Sequence, residues 1–84
     1  MTTVKLKQFG VMLLSRPAGR EACLAAQAYS LPKNDDEIVV DFDGVLVLSP
    51  SWADEFLTKL KEKYTKVEYQ NTNNASVKAS LEII

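Results

Sequence analysis

The sequence predicts a small α/β domain in which a parallel or mixed β-sheet packs with about three helices. Residues 37–42 contain the continuous apolar run Ile38, Val39 and Val40, which is typical of a central strand covered on both faces. Two stretches with helix-capping signals flank this strand. Because strands alternate with helices along the chain, the connections are crossovers and the strands run mostly parallel.

The first fourteen residues carry two strand-like patterns. Residues 2–7 alternate Val4 and Leu6 with lysines, which indicates a half-buried edge strand with charges on its open side. Residues 11–14 form a short apolar run. Its length allows either a second strand, paired as a hairpin, or a buried segment that leads into a helix.

A first helix is predicted over residues 18–29. Ser15 supplies a capping hydroxyl and Pro17 a first-turn proline, and alanine and other helix formers follow. Residues 31–36 form a polar loop with a proline stop. The buried face of the helix is predicted to comprise Ala22, Ala25, Ala26 and Tyr29.

A second helix is predicted after the central strand. Asp43 and Gly44 form a turn, residues 45–48 form an apolar connector, and serines around Pro50 start the helix. One apolar stripe faces the sheet, and Trp52 within it is interpreted as a core residue. The stripe comprises Trp52, Phe56, Leu57, Leu60 and Tyr64.

The last part of the chain predicts one more strand and one more helix. Residues 66–70 alternate apolar and polar side chains, residues 71–74 form an asparagine-rich turn, and residues 75–84 form a helix. The apolar side of this helix comprises Val77, Leu81 and Ile84.

Composition restricts the class of protein. A chain of 84 residues with 46% hydrophobic and 25% charged residues predicts one folded unit over residues 1–84. The net charge is −1, and the spaced lysines 59, 61, 63 and 66 indicate a solvated helix face, which argues against a nucleic-acid partner. A domain this small gains stability from a partner or a second copy, so a homodimer is an expectation.

Cysteine and histidine usage excludes several chemistries. With one cysteine and no histidine, the monomer has no disulfide framework and no histidine-dependent zinc site or triad. Cys23 lies among alanines and is interpreted as a small core residue. Neither a signal peptide nor a membrane span is recognisable, so a cytoplasmic protein without membrane partner, metal or cofactor is expected.

One short motif points to catalysis. Residues 41–46 read Asp-Phe-Asp-Gly-Val-Leu and resemble the first motif of haloacid-dehalogenase-type phosphatases. That resemblance implies Asp41 as nucleophile and Asp43 as general acid and base, with magnesium. The family needs further strands for its other groups, and only 43 residues follow Asp41 (84 − 41). In the alternative interpretation, Asp41 accepts bonds from backbone amides or from Arg16 or Arg20.

A broader resemblance covers most of the chain. Residues 15–21 read Ser-Arg-Pro-Ala-Gly-Arg-Glu, residues 39–45 Val-Val-Asp-Phe-Asp-Gly-Val, and residues 49–55 Ser-Pro-Ser-Trp-Ala-Asp-Glu. A strand leading into an asparagine turn completes the order over residues 67–74. This pattern resembles the STAS-like family of unknown function, relatives of anti-sigma-factor antagonists, and implies a STAS-like sheet-and-helix fold.

The resemblance implies a non-catalytic protein-binding and regulatory module. The partner in such systems is often a histidine-kinase-like ATPase that phosphorylates a serine at the start of the helix after the central strand. The Asp-Ser-Ser/Thr-Gly run of the true antagonists is absent here, and Pro50 stands at the phosphoacceptor position. The contact or phosphorylation candidates are Ser49, Ser51, Asp54, Glu55, Arg16 and Arg20. A small homo-oligomeric phage or defence-related regulator is the third alternative, after the phosphatase.

Overall fold

Strands and helices alternate along the computed structural model, which describes residues 2–29, 31–33 and 37–84. Within these residues the strands are β1 (Thr2–Lys5), β2 (Met12–Leu13), β3 (Glu37–Asp41), β4 (Val47–Leu48) and β5 (Lys66–Gln70). The α-helices of the same residues are α1 (Arg16–Tyr29), α2 (Pro50–Lys63) and α3 (Ala75–Ile83), and a 3-10 helix spans Leu6–Phe9. The predicted α/β class with a small parallel sheet and three helices is confirmed.

The main sheet has the order β1-β3-β5, and both pairs of strands are parallel. β3 is central and β1 lies at an edge, as predicted. β1 is shorter than residues 2–7, because the chain turns into the 3-10 helix at Leu6. Leu6 is nevertheless fully buried. The apolar pattern therefore predicted the burial of this segment correctly and extended the strand too far.

A second, two-stranded sheet joins β2 to β4, again in parallel. Met12 is registered with Val47 and Leu13 with Leu48. Residues 11–14 thus contain a strand, but the predicted hairpin partner is wrong, because a parallel pair needs a long crossover. The prediction of residues 45–48 as a mere connector is also wrong, since β4 lies within them.

Helix α1 begins two residues before the predicted start. The Ser15 hydroxyl oxygen accepts a bond from the Ala18 amide at 3.2 Å, as expected of a capping residue. The predicted buried positions Ala25 and Tyr29 are wrong; Tyr29 is 90% exposed. The buried side consists of Gly19, Ala22, Cys23 and Ala26. Of the loop predicted after α1, residues 34–36 lie outside the described residues.

Helices α2 and α3 agree closely with the predictions. Ser49 caps α2, and Pro50 occupies the first helical position. Asn74 caps α3 by accepting bonds from the amides of Ser76 and Val77. The whole predicted stripe of α2 is buried, with exposures of 4% or less at Trp52, Phe56, Leu57, Leu60 and Tyr64.

The hydrophobic core covers one face of the main sheet. Ile38 and Val40 of β3 belong to the core, whereas Val39 points to the opposite face because side chains alternate along a strand. There its registered neighbours are Thr3 and Glu68. Val39 is also buried, so β3 is covered on both faces, as predicted, although only the face of Ile38 and Val40 belongs to the hydrophobic core.

Within the described residues, no helix combines the length and apolar character needed to cross a bilayer.

Candidate functional site

The starts of α1 and α2 lie side by side and carry the six predicted contact residues, of which Arg16, Arg20, Asp54 and Glu55 form ion pairs with one another. We call this region the α2-start surface; it comprises Arg16, Arg20, Ser49, Ser51, Asp54 and Glu55. Gly19 makes the close approach of the two helices possible, because a side chain there would lie only 2.8 Å from the Trp52 carbonyl oxygen. The backbones of the two helices are therefore almost in contact next to the predicted residues.

Ion pairs connect α1 to α2 across this surface. Arg16 Nη1 donates to Asp54 Oδ2 at 2.8 Å and to Glu55 Oε1 at 3.1 Å. Arg20 Nη2 lies 3.7 Å from Glu55 Oε1. The bond from Arg16, followed by one from Thr58, holds the pKa of the Asp54 carboxyl below its usual range. Since Arg16 and Asp54 are about half exposed, the pair contributes little to stability but presents both charges to solvent.

The two predicted serines have different roles. The Ser49 hydroxyl oxygen accepts the Trp52 amide at 3.2 Å, and the hydroxyl donates to the Leu14 carbonyl oxygen. It therefore caps α2 and connects it to the end of β2. Ser51, on the first turn of α2, is partly exposed, and no hydrogen bond of its side chain occurs among the described residues. The Ser49 hydroxyl therefore takes part in the fold, whereas the Ser51 hydroxyl has no bond to the described residues.

Removal of each hydroxyl should separate these roles. We expect Ser49→Ala to lower the free energy of unfolding by about 1 to 2 kcal/mol, because the α2 cap is lost. Ser51→Ala, the matched control two residues away, should change it by less than about 0.5 kcal/mol. Urea unfolding followed by Trp52 fluorescence measures both values. Equal losses in the two variants would contradict this assignment.

A groove of about 240 Å³ between α1 and α2 adjoins the α2-start surface. It is lined by Arg20, Cys23, Leu24, Gln27, Glu55 and Lys59. Cys23 is 4% exposed, and burial raises the pKa of its thiol. A thiol kept protonated in this way is a poor nucleophile, in agreement with the prediction of a core cysteine.

The residues of the phosphatase-like motif form a turn at the end of β3. Asp41 Oδ1 accepts the Asp43 amide at 2.9 Å and the Asn71 side-chain amide at 2.7 Å. Asp43 is exposed, and Gly44 has a φ of 84° that favours glycine. The backbone partner predicted for Asp41 is confirmed, whereas the predicted arginine partner is wrong, because Arg16 and Arg20 face α2. The described residues contain no group of three or more acidic or cysteine side chains placed to hold a metal ion.

The carboxylate of Asp41 should make the free energy of unfolding depend on pH. The bond from Asn71 and then the Asp43 amide hold its pKa below the usual range, so the ionised form stabilises the fold above the unfolded pKa of about 4. We expect Asp41→Asn to cost about 1 to 2 kcal/mol at pH 7. The difference between wild type and variant should shrink as the pH falls below about 4. Urea titrations at several pH values measure this, and a difference independent of pH would contradict it.

Polar side chains within α3 and at its N-cap cover one edge of β4. They were not among the predicted contact residues. Ser76 Oγ accepts the Leu48 amide at 3.1 Å, and Ser80 Oγ donates to the Leu48 carbonyl oxygen at 2.6 Å. Asn74 Nδ2 donates to the Leu46 carbonyl oxygen at 2.8 Å. Ser80 is 2% exposed, so a serine near the apolar side of α3 was the signal that could have indicated this contact.

Comparison with family models gives a match over residues 25–77 to a family described as a STAS-like domain of unknown function. The matched range begins within α1 and ends within α3, and it contains β3, β4, α2 and β5. Comparisons with curated proteins and with solved structures return no significant match.

Proposed function

This chain belongs to the STAS-like domain family of unknown function, and on that premise we propose that it is a non-catalytic, cytoplasmic protein-binding module with a regulatory role. We propose further that the whole chain acts as one module. Residues 2–24 lie outside the family match, but β1 pairs with β3 and β2 pairs with β4. These pairings join the first part of the chain to the matched part.

The observation that carries this proposal is the convergence of hydroxyl, cationic and anionic groups at the α2-start surface. Arg16 and Asp54 lie 38 residues apart along the chain, on different helices, and both are about half exposed. Ser51 lies on the first turn of α2, three residues before Asp54. Exposed polar groups with fixed positions on rigid helices are suited to recognition of a protein surface.

The first turn of α2 also offers a backbone donor. Pro50 has no amide hydrogen, and the amides of Trp52 and Ala53 donate to the Ser49 hydroxyl and carbonyl oxygens. The Ser51 amide is thus the donor of this turn that the cap does not use. An acceptor of a partner protein can bind there, at the positive end of the helix dipole.

We propose a histidine-kinase-like ATPase as the partner, because the sequence resembles relatives of anti-sigma-factor antagonists, which often bind a protein of this class. Of the two serines, Ser51 is the better candidate for regulation, since the Ser49 hydroxyl already makes two bonds within the fold. A phosphate on Ser51 adds about −1.5 to −2 charges. Asp54, three residues further on, lies on the same side of the helix, so the phosphate would make the net charge of the surface more negative.

A capture experiment with a matched control tests this proposal. The test variant is Ser51→Ala/Asp54→Ala, which leaves the Ser49 cap intact. The control is Glu62→Ala/Thr65→Ala, which removes an exposed acid in the last turn of α2 and an exposed hydroxyl just after the helix, with the same spacing along the chain. Circular dichroism first establishes that both are folded, and mass spectrometry then identifies the proteins bound from the native host.

We expect wild type and control to retain an ATPase-like protein that the test variant loses. Affinity measured with that purified protein should fall about tenfold or more for the test variant, since two polar contacts are removed. Equal binding by all three proteins would refute the α2-start surface as the contact. A captured protein without an ATPase fold would refute the proposed partner class.

A further inference from the structure

The small sheet of β2 and β4 has one closed edge and one open edge. On the β4 side, Leu48 exchanges both backbone bonds with Ser76 and Ser80 of α3. The Leu46 carbonyl oxygen accepts a bond from Asn74. Side chains of α3 therefore take the place of a further strand next to β4, and this edge of the sheet cannot be extended.

On the β2 side, the backbone groups of Met12 face away from the sheet. The carbonyl oxygen of Val11 accepts the Val47 amide at 3.1 Å, and that of Leu13 accepts the Ser49 amide at 2.9 Å. Because backbone groups alternate in direction along a strand, the N–H and C=O of Met12 point to the opposite side. The described residues provide no partner for either group. β2 thus presents one free donor and one free acceptor at the edge of a sheet.

Exposed apolar side chains lie along β2 and beside its paired side. We call them the β2 edge patch: Val11 is 37% exposed, Met12 58%, Leu14 47% and Leu46 61%. Val11, Met12 and Leu14 lie on β2 and next to its ends, and Leu46 is adjacent to Val11, since the Leu46 amide donates to the Val11 carbonyl oxygen at 2.8 Å. The patch contains no charge, and the residues on either side of it along the chain, Gly10 and Ser15, are also uncharged.

The edges of the main sheet are protected in a way that the β2 edge is not. β1 carries the exposed Lys5, and β5 carries Lys66 and Glu68, which are both exposed. Charged side chains on edge strands prevent pairing with other chains. An edge strand without them, flanked by exposed Met and Leu side chains, has the features of a strand that accepts a partner.

We propose that the β2 edge binds the same edge of a second copy of this chain. The two β2 strands would run antiparallel about a two-fold axis at Met12, so that each Met12 N–H donates to the Met12 C=O of the other copy. The two patches would pack together without placing like charges opposite each other. The result is a four-stranded sheet in which α3 of each copy closes the outer edge. Two-fold pairing satisfies both free groups with one self-complementary surface, which favours a second copy over an unrelated peptide.

Sedimentation equilibrium over a range of concentrations tests the proposal. We expect wild type to dimerise, and Met12→Lys to raise the dimer dissociation constant about 100-fold or more, because two lysine charges would meet at the axis. The matched control is Leu24→Lys on α1, which replaces a leucine that is also 61% exposed outside the patch. It should dimerise like wild type. A monomeric wild type at millimolar concentration, or a dimer that Met12→Lys leaves unchanged, would overturn the proposal.

Hydrogen exchange of wild type provides a test that needs no variant. Pairing of the backbone edges predicts that exchange of the Met12 amide slows as the protein concentration rises, about in proportion to the dimer fraction. The exposed Leu24 lies outside the patch, so exchange in its helix should not follow concentration. A dimer that leaves the Met12 amide unprotected would refute strand pairing. These tests concern β2 and are independent of the α2-start surface.

Discussion

Replacing Phe56 with alanine is expected to lower the free energy of unfolding by about 3 to 5 kcal/mol. Phe56 is 0% exposed and lies at the centre of an aromatic cluster in the core. Its ring stacks on Trp52 with centroids 4.9 Å apart and tilts against Phe9 at 5.5 Å. Alanine removes both contacts and leaves a cavity between α2 and the 3-10 helix, which the rigid helix backbone cannot fill by collapse.

Because the domain is small, this loss is a large fraction of its free energy of unfolding. Small domains are stable by roughly 5 kcal/mol or somewhat more, so the variant should retain only about 0 to 2 kcal/mol and unfold at much lower urea concentrations than wild type. Urea titration with Trp52 fluorescence and circular dichroism measures the loss. Tyr29→Ala is the matched control, because it removes another aromatic ring that is 90% exposed. A Phe56→Ala variant within about 1 kcal/mol of the Tyr29→Ala control would contradict the assigned core.

The elements that the sequence predicted best are those with a single unambiguous period. The α2 stripe repeats large apolar residues at helical spacing, and every member of it is buried. Residues 66–70 alternate strictly, and β5 occupies those residues. In both cases the buried side differs in size and polarity from the exposed side, so the direction of packing follows from the pattern alone.

The buried face of α1 could not be predicted in the same way, because small residues occupy several sides of the helix. Ala22, Ala25 and Ala26 carry almost no information about direction, since alanine is tolerated both inside and outside. The buried face includes Gly19, where α2 approaches so closely that a Cβ atom would meet the α2 backbone. That contact involves Trp52, 33 residues away along the chain (52 − 19), and no local pattern contains it.

Long-range pairing limited the prediction of the site for the same reason. Helix-start signals correctly placed Ser49 at the start of α2, because capping is a local interaction. The partner of Arg16, in contrast, depends on how two helices cross, and in the structure it is Asp54 rather than Asp41. The pairing of β2 with β4 is equally non-local, and strands of two residues are too short to show a period.

Gly19→Leu is expected to lower the free energy of unfolding by about 3 kcal/mol. A Cβ atom at this position would lie 2.8 Å from the Trp52 carbonyl oxygen and 3.1 Å from Trp52 Cα. Both are backbone atoms of α2, so the helix itself must move. Gly19→Ala tests the same contact with one carbon atom: its gain in helix propensity of about 1 kcal/mol opposes the steric cost, and we expect a net loss.

Urea unfolding measures these effects, with Ala25→Leu on the exposed side of α1 as the control that should change stability by less than about 0.5 kcal/mol. A Gly19→Ala variant more stable than wild type would contradict the close packing. Because Arg16 and Asp54 lie on the two helices that Gly19 brings together, Gly19→Ala should also weaken the proposed binding of a partner at the α2-start surface. A variant that remains folded but loses the partner would link the close approach of α1 and α2 directly to recognition.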